Sequence, residues 1–218
     1  MTVTRTDRLG ETPRTGRSRA RKGEGDKLRE RLLEAAEVLL VETGHPDNVS
    51  VRAIATAAQC TPPSIYLHFA DKDELLMEAC ERRFADLDRY AQDAAEGSDD
   101  PLESLGLRAR AYIAFGLDHP QHYRLLMMTV HEKSLDELDW ESSAGVKAFM
   151  NLVGAVQRCV DTGSLPEETQ AHETALGLWA TMHGITSLLI TFPNFEWGDR
   201  DRLIDHLLDV HIEGLLSV

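Results

Sequence analysis

A chain of 218 residues with 42% hydrophobic content can bury a core without a metal or disulfides. Its three cysteines, an odd number with no CxxC pair, exclude a disulfide framework and a zinc ribbon and suit a reducing compartment. The formal net charge of -14 argues against nonspecific coating of nucleic acid, but charge is segregated: residues 1–22 carry seven basic and two acidic side chains, leaving about -19 on the remainder.

Residues 1–25 combine Gly, Pro, Thr and Arg without apolar periodicity and read as a disordered arm. Arg14, Arg17, Arg19, Arg21 and Lys22 fit either an arm reaching phosphates or the minor groove, or a solvated tail. Nothing here resembles a signal peptide, and no apolar run approaches the length of a membrane span, so a cytoplasmic protein is expected. Residues 26–43 predict a first helix, with Leu28, Leu32, Ala35, Ala36, Leu39 and Leu40 on one face and Gly44 as its stop.

Two short helices joined by a tight turn follow. In the first, Ser50 is the expected N-cap, and Val51, Ile54, Ala55 and Ala58 form one buried stripe. In the second, residues 61–69, Thr61 is the expected cap and Pro62 and Pro63 occupy the first turn, where a missing N–H costs nothing. Ile65 and Phe69 turn inward; Ser64, Tyr66, Leu67 and His68 turn outward. Short polar side chains at an exposed helix end suit a major groove, so Thr61, Pro62, Pro63, Ser64, Tyr66 and His68 are candidate DNA-binding residues. Arg52, in the first turn of the earlier helix, is placed to hold a phosphate. Spacing alone also admits a plain helical hairpin in a core.

The run YLHFADKDELL from Tyr66 to Leu76, preceded by Ile54-Ala55 and by Thr61-Pro62-Pro63-Ser64, resembles the DNA-binding domain of the TetR family of bacterial transcriptional regulators. The resemblance covers residues 26–87. It implies an all-α homodimer with an N-terminal three-helix helix-turn-helix domain, here 26–87, and a larger effector-binding and dimerisation domain, here 88–218. It also implies a repressor released from a palindromic double-stranded DNA operator by a small molecule; a transcriptional activator of the same fold stays open. Lys72 stands at the family's phosphate-anchoring position. The loop 44–49 is about one residue longer than the common pattern, and Ala53 replaces a frequent acid; both are tolerable departures.

A long helix over 73–95 should link the domains, burying Leu75, Leu76, Ala79, Cys80, Phe84 and Leu87. After the 96–101 break, further helices are predicted over 101–117, 120–130, 138–162, 167–191 and 199–216. In the helix over 167–191, Gly177, Ala180, Thr181, Gly184, Ser187 and Leu188 share a small-residue face, suited to pair with the last helix in a four-helix dimer interface. Trp179, Met182, His183, Thr186 and Ile190 lie opposite, and Trp179, His183 and Gly184 resemble the tryptophan–histidine–glycine signature of one TetR C-terminal subfamily.

Tyr112, Phe115, Tyr123, Met127, Phe149, Trp179 and His183 are the candidate ligand-binding residues, with Met128 and Cys159 beside them, for an apolar or aromatic effector. No phosphate loop, acidic cage or basic pair is evident in this half. A helical metal-dependent enzyme has thin support: His119, His122, His131 and Glu132, or His172 and Glu173, lack the spacing of a helical zinc protease. No cofactor, metal or membrane partner is expected. A DNA-independent protein-interaction module is the remaining alternative.

Overall fold

The computed structural model describes residues 24–128 and 143–216, and among these residues there are nine helices and no strand. Helix α1 (Glu24–Thr43) begins two residues before the predicted start, so the last two positions assigned to the arm are helical; residues 1–23 lie outside the described residues. It buries Leu32, Leu33, Ala35, Ala36 and Leu40, and Leu28 and Leu39 cover the edge of the same core. Gly44 closes it with φ 71° and an N–H to the Leu40 carbonyl at 2.9 Å, the left-handed stop that a side chain disfavours.

α2 (Val51–Ala57) is capped by Ser50, whose hydroxyl accepts from Ala53 N–H at 3.1 Å. The turn after it uses Gln59 at φ 55°, and Cys60 N–H reaches back to the Ala55 carbonyl at 2.9 Å. This is a Schellman-type reversal with glutamine in the place glycine usually takes. α3 (Pro62–Ile65) is shorter than the predicted 61–69: it gives way after one turn to bends held by His68 and Phe69 N–H groups on the Ile65 carbonyl. Thr61 is its N-cap by position, but its hydroxyl pairs with Ser64 Oγ at 2.8 Å and makes no cap bond.

α4 (Lys72–Ala94) starts in a reciprocal cap. Asp71 accepts from Glu74 N–H at 2.8 Å, and the Glu74 carboxylate accepts from Ala70 N–H. Its buried residues divide between two cores: Leu75, Leu76 and Ala79 join α1–α3, whereas Leu87 joins the C-terminal helices. Cys80 and Phe84 are only half-buried, because the changeover occurs between them: Cys80 covers the edge of the first core, and the Phe84 ring lies beside Gly145.

The C-terminal helices are α5 (Pro101–Asp118), α6 (Pro120–Met127), α7 (Ala144–Asp161), α8 (Ala171–Thr191) and α9 (Arg200–Leu216). α6 ends three residues before the predicted boundary, and the predicted first residues of α7, 138–142, lie outside the described residues. α7 starts at Ala144 because Ser143 caps it and the Glu81 carboxylate of α4 accepts from Ala144 N–H. α8 starts four residues later than predicted, since the stretch after Pro166 is spent on a turn closed by Thr169 N–H on the Pro166 carbonyl. α5, α7 and α8 enclose the larger core, where Leu105, Ile113, Tyr123, Val156 and Leu178 are fully buried.

Candidate DNA interface and effector site

The exposed end of the N-terminal unit is made by the turn residues around α3. Thr61, Pro62, Pro63 and Tyr66 are exposed, Ser64 and His68 are half-buried, and Ile65 and Phe69 anchor the segment from below with almost no exposure. Arg52 is exposed in the first turn of α2. Lys72 reaches back, its ammonium donating to the Pro46 carbonyl at 3.2 Å, so it pins the α1–α2 loop to the start of α4. Cys60 packs against the core, and burial pushes its thiol up; it is a filler, not a reactive thiolate.

α1 and α4 are joined by four ion pairs: Arg29–Glu78, Arg82–Glu30, Arg82–Glu37 and Arg83–Glu37. Glu37 is buried, and sequence periodicity missed it because a carboxylate does not register on an apolar stripe. Its two arginine partners neutralise it and tie α4 to α1.

Among the predicted effector residues, four form a hydrogen-bonded chain inside the C-terminal core. Trp179 indole N–H donates to Tyr112 Oη at 3.1 Å, the Tyr112 and Tyr123 hydroxyls are 3.1 Å apart, and Tyr123 Oη lies 2.7 Å from His183 Nδ1. Burial raises both tyrosine pKa values and lowers that of His183, so all three stay neutral near pH 7. One direction of donation then satisfies every member: Trp179 to Tyr112 to Tyr123 to a neutral imidazole, with His183 Nε2–H left outside the chain. Trp179 is 38% exposed, so this network reaches the surface, and Phe149 tilts against its ring at 5.8 Å.

Other predicted lining residues go elsewhere. Phe115 faces away from Trp179, edge-on to Tyr90 and 5.1 Å from the His119 ring, because α5 turns that side towards α4. Met127 packs at the margin of the core, Met128 is exposed, and Cys159 is wholly buried. A cavity of about 230 Å³ that the sequence did not suggest opens between α4, α5 and α6, bordered by Arg83, Asp86, Tyr90, Phe115, His119 and His122. Among the described residues no group of three His, Cys, Asp or Glu side chains is arranged to hold a metal ion.

α6 touches both units within three residues. Tyr123 belongs to the C-terminal core and Leu125 to the N-terminal one, while Arg124 donates to the Ile190 carbonyl at 2.9 Å. On α8, part of the small-residue face is used within the subunit: His211 of α9 lies over Gly177 and 3.3 Å from Thr181 Oγ1. Leu176, Leu188, Val210 and Leu216 remain exposed on α8 and α9. No helix among the described residues is long and apolar enough to cross a membrane.

Comparison with known proteins agrees with this architecture. Residues 32–79 match the family described as bacterial regulatory proteins, tetR family, and residues 107–211 match the tetracyclin repressor-like C-terminal domain. An uncharacterized HTH-type transcriptional regulator, YobS of Bacillus subtilis, is 26% identical over 191 residues, covering 87% of this chain and 92% of its own. A solved structure of a protein of unknown function from Rhodococcus sp. RHA1 superposes with a TM-score of 0.74 at 26% identity, covering 87% of this chain and 95% of that one. The regulator FadR from Bacillus subtilis, solved in complex with stearoyl-CoA, shares the fold with a TM-score of 0.70 at 16% identity, covering 85% of this chain and 98% of its own. With the helix-turn-helix and the C-terminal bundle both matched, the chain belongs to the TetR family of bacterial transcriptional regulators.

Proposed function

We propose that this protein is a homodimeric repressor that leaves a palindromic operator when a small molecule occupies its C-terminal domain. The observation that carries this reading is α6, whose Tyr123 closes the interior chain on His183 while Leu125, two residues on, packs in the DNA-binding core. A ligand that competes for the Tyr112–Tyr123–His183 bonds shifts α6, and the ion-paired α1–α4 unit follows.

On this reading α3 and the turn after it enter the major groove, with Thr61, Ser64 and His68 towards the bases and Arg52, Tyr66 and Lys72 towards the phosphate backbone. Lys72, whose ammonium donates to the Pro46 carbonyl in the free protein, exchanges that partner for a phosphate oxygen. The division into 26–87 and 88–218 falls on α4, and the split of Ala79 and Leu87 between the two cores supports it. The exposed apolar residues of α8 and α9 support pairing of two subunits there.

Release requires differential affinity for two separations of the heads: a change of ~100-fold in operator affinity corresponds to about 2.7 kcal/mol of coupling. The related FadR holds an acyl-CoA, which supports an effector with a substantial apolar part. Selection of binding sites from a random duplex pool by the purified protein tests the reading. An inverted repeat with half-sites about one helical turn apart is expected, whereas a pool without enrichment after repeated rounds overturns it.

A further inference from the structure

The DNA-binding unit is itself acidic. Residues 26–87 hold seven Lys and Arg side chains against twelve Asp and Glu, and three of the seven, Arg29, Arg82 and Arg83, are engaged in the ion pairs between α1 and α4. Duplex DNA carries one negative charge per ~1.7 Å of its axis, so a unit with this balance needs further cations to be held against it. Residues 1–22 have them, with seven basic side chains against two acidic ones. Both acids, Asp7 and Glu11, precede Arg14; from there on Arg14, Arg17, Arg19, Arg21 and Lys22 follow with no acid among them.

The fold fixes where this segment joins the unit. Gly25, in the first turn of α1, lies against the DNA-reading turn: a Cβ there would stand 3.7 Å from His68 Cε1, an ordinary contact. One turn further on, Arg29 holds that end of α1 in place, its guanidinium 5.0 Å from the centre of the Phe69 ring and 2.5 Å from the Glu78 carboxylate. Residues 1–22 therefore start beside the residues that face DNA. Fully extended backbone reaches about 14 Å from Gly25 at Arg21 and about 28 Å at Arg17. The minor groove next to an occupied major groove lies half a helical turn away, about 17 Å, which falls within that interval. Arg17, Arg19 and Arg21 alternate with Ser18 and Ala20, whose side chains are small enough to follow a groove about 6 Å wide.

We infer that Arg17, Arg19 and Arg21 enter the minor groove beside the major groove that α3 and its turn occupy. A narrow A·T-rich minor groove concentrates negative potential and draws arginine into it. Guanine places a 2-amino group in that groove, so the segment adds a preference for A·T pairs at positions the helix-turn-helix does not touch. The inference rests on the DNA-binding reading above and adds a second groove to it.

The test is equilibrium binding of the full chain to dA·dT, dG·dC and dI·dC duplexes across a salt series, for the wild type and the triple variant Arg17→Ala, Arg19→Ala, Arg21→Ala. A dI·dC pair lacks the 2-amino group, so its minor groove is that of A·T while its major groove resembles that of G·C. The three positions precede α1, so the variant should melt as the wild type does. The wild type should bind dA·dT and dI·dC roughly 3-fold or more tightly than dG·dC. The variant should bind all three alike, with a slope of log K against log salt shallower by about 2–3. A slope that falls in the variant without any such preference in the wild type puts the arginines on phosphates and overturns the minor-groove assignment; a preference for dA·dT alone puts the reading in the major groove and overturns it too. A variant with the slope and preference of the wild type overturns contact between this segment and DNA. No binding of the wild type to any duplex at the lowest salt overturns the DNA-binding reading as well, whereas a random pool without enrichment, beside the preference described, overturns the operator reading alone.

Discussion

Gly116 is where α5 comes closest to α8 and α6, and adding one carbon there gives a stringent test of the packing. A Cβ at this position would lie 2.4 Å from Thr186 Cγ2 and 2.8 Å from Tyr123 Cδ2, against an ordinary carbon contact of about 3.5–4.0 Å. Neighbours must therefore retreat by about 1 Å or more. Neither can do so freely: both are fully buried, Thr186 donates to the Met182 carbonyl at 2.7 Å, and Tyr123 is bonded to Tyr112 and His183. Overpacking of this kind costs about 3 kcal/mol at the upper end of its usual range, and the gain from replacing a helical glycine by alanine returns about 1 kcal/mol. Gly116→Ala should thus destabilise by about 2 kcal/mol, or lower Tm by about 4–8 °C for a chain of this size. Gly106→Ala on the same helix is the control. Its Cβ would meet only Ile212 Cδ1 at 4.0 Å, so it should raise Tm by about 2–4 °C. Thermal and urea unfolding of the two variants measure the difference. Gly116→Ala melting at or above the wild type would refute the close approach of α5 to α8.

Capping separates the two short helices. Ser50→Ala should cost about 1 kcal/mol in urea unfolding, whereas Thr61→Ala, which loses no cap bond, should cost less than half of that. On DNA, Lys72→Ala should weaken binding to all duplexes and reduce the slope of log K against log salt by about 1; an unchanged slope denies it a phosphate. Acidification tests the buried imidazoles. His122, His183 and His211 each have a pKa lowered from 6.5, by burial first. Between each folded value and 6.5 the unfolded chain binds more protons, so their contribution is complete above pH 6.5 and is lost as pH falls below it. The urea midpoint should decline on that side, and His183→Gln should flatten part of the decline; a midpoint independent of pH down to 5 contradicts neutral burial.

Helices with a clean apolar stripe were legible in the sequence, as α1, α2 and α4 illustrate, because a 3.6-residue period and strong stop signals such as Gly44 act locally. Boundaries failed where a tertiary contact decides them. The start of α7 depends on a carboxylate from α4, and α3 ends early because its turns are held down by Ile65 and Phe69. In the C-terminal domain, the shared face of Trp179 and His183 on α8 was legible from helical geometry. Their linkage through Tyr112 and Tyr123 into one chain was not, since it joins α8 to α5 and α6, 60 or more residues away. Glu37 and Leu125 escaped for the same reason: each acquires its meaning only from a partner on another helix.

The most direct measurement is equilibrium binding of the full chain to the DNA flanking its own gene, against a random duplex, across a salt series. The protein should bind the flanking DNA ~10³-fold or more tightly than the control, with log K falling linearly as log salt rises. Equal and weak binding to both duplexes at every salt concentration would contradict it.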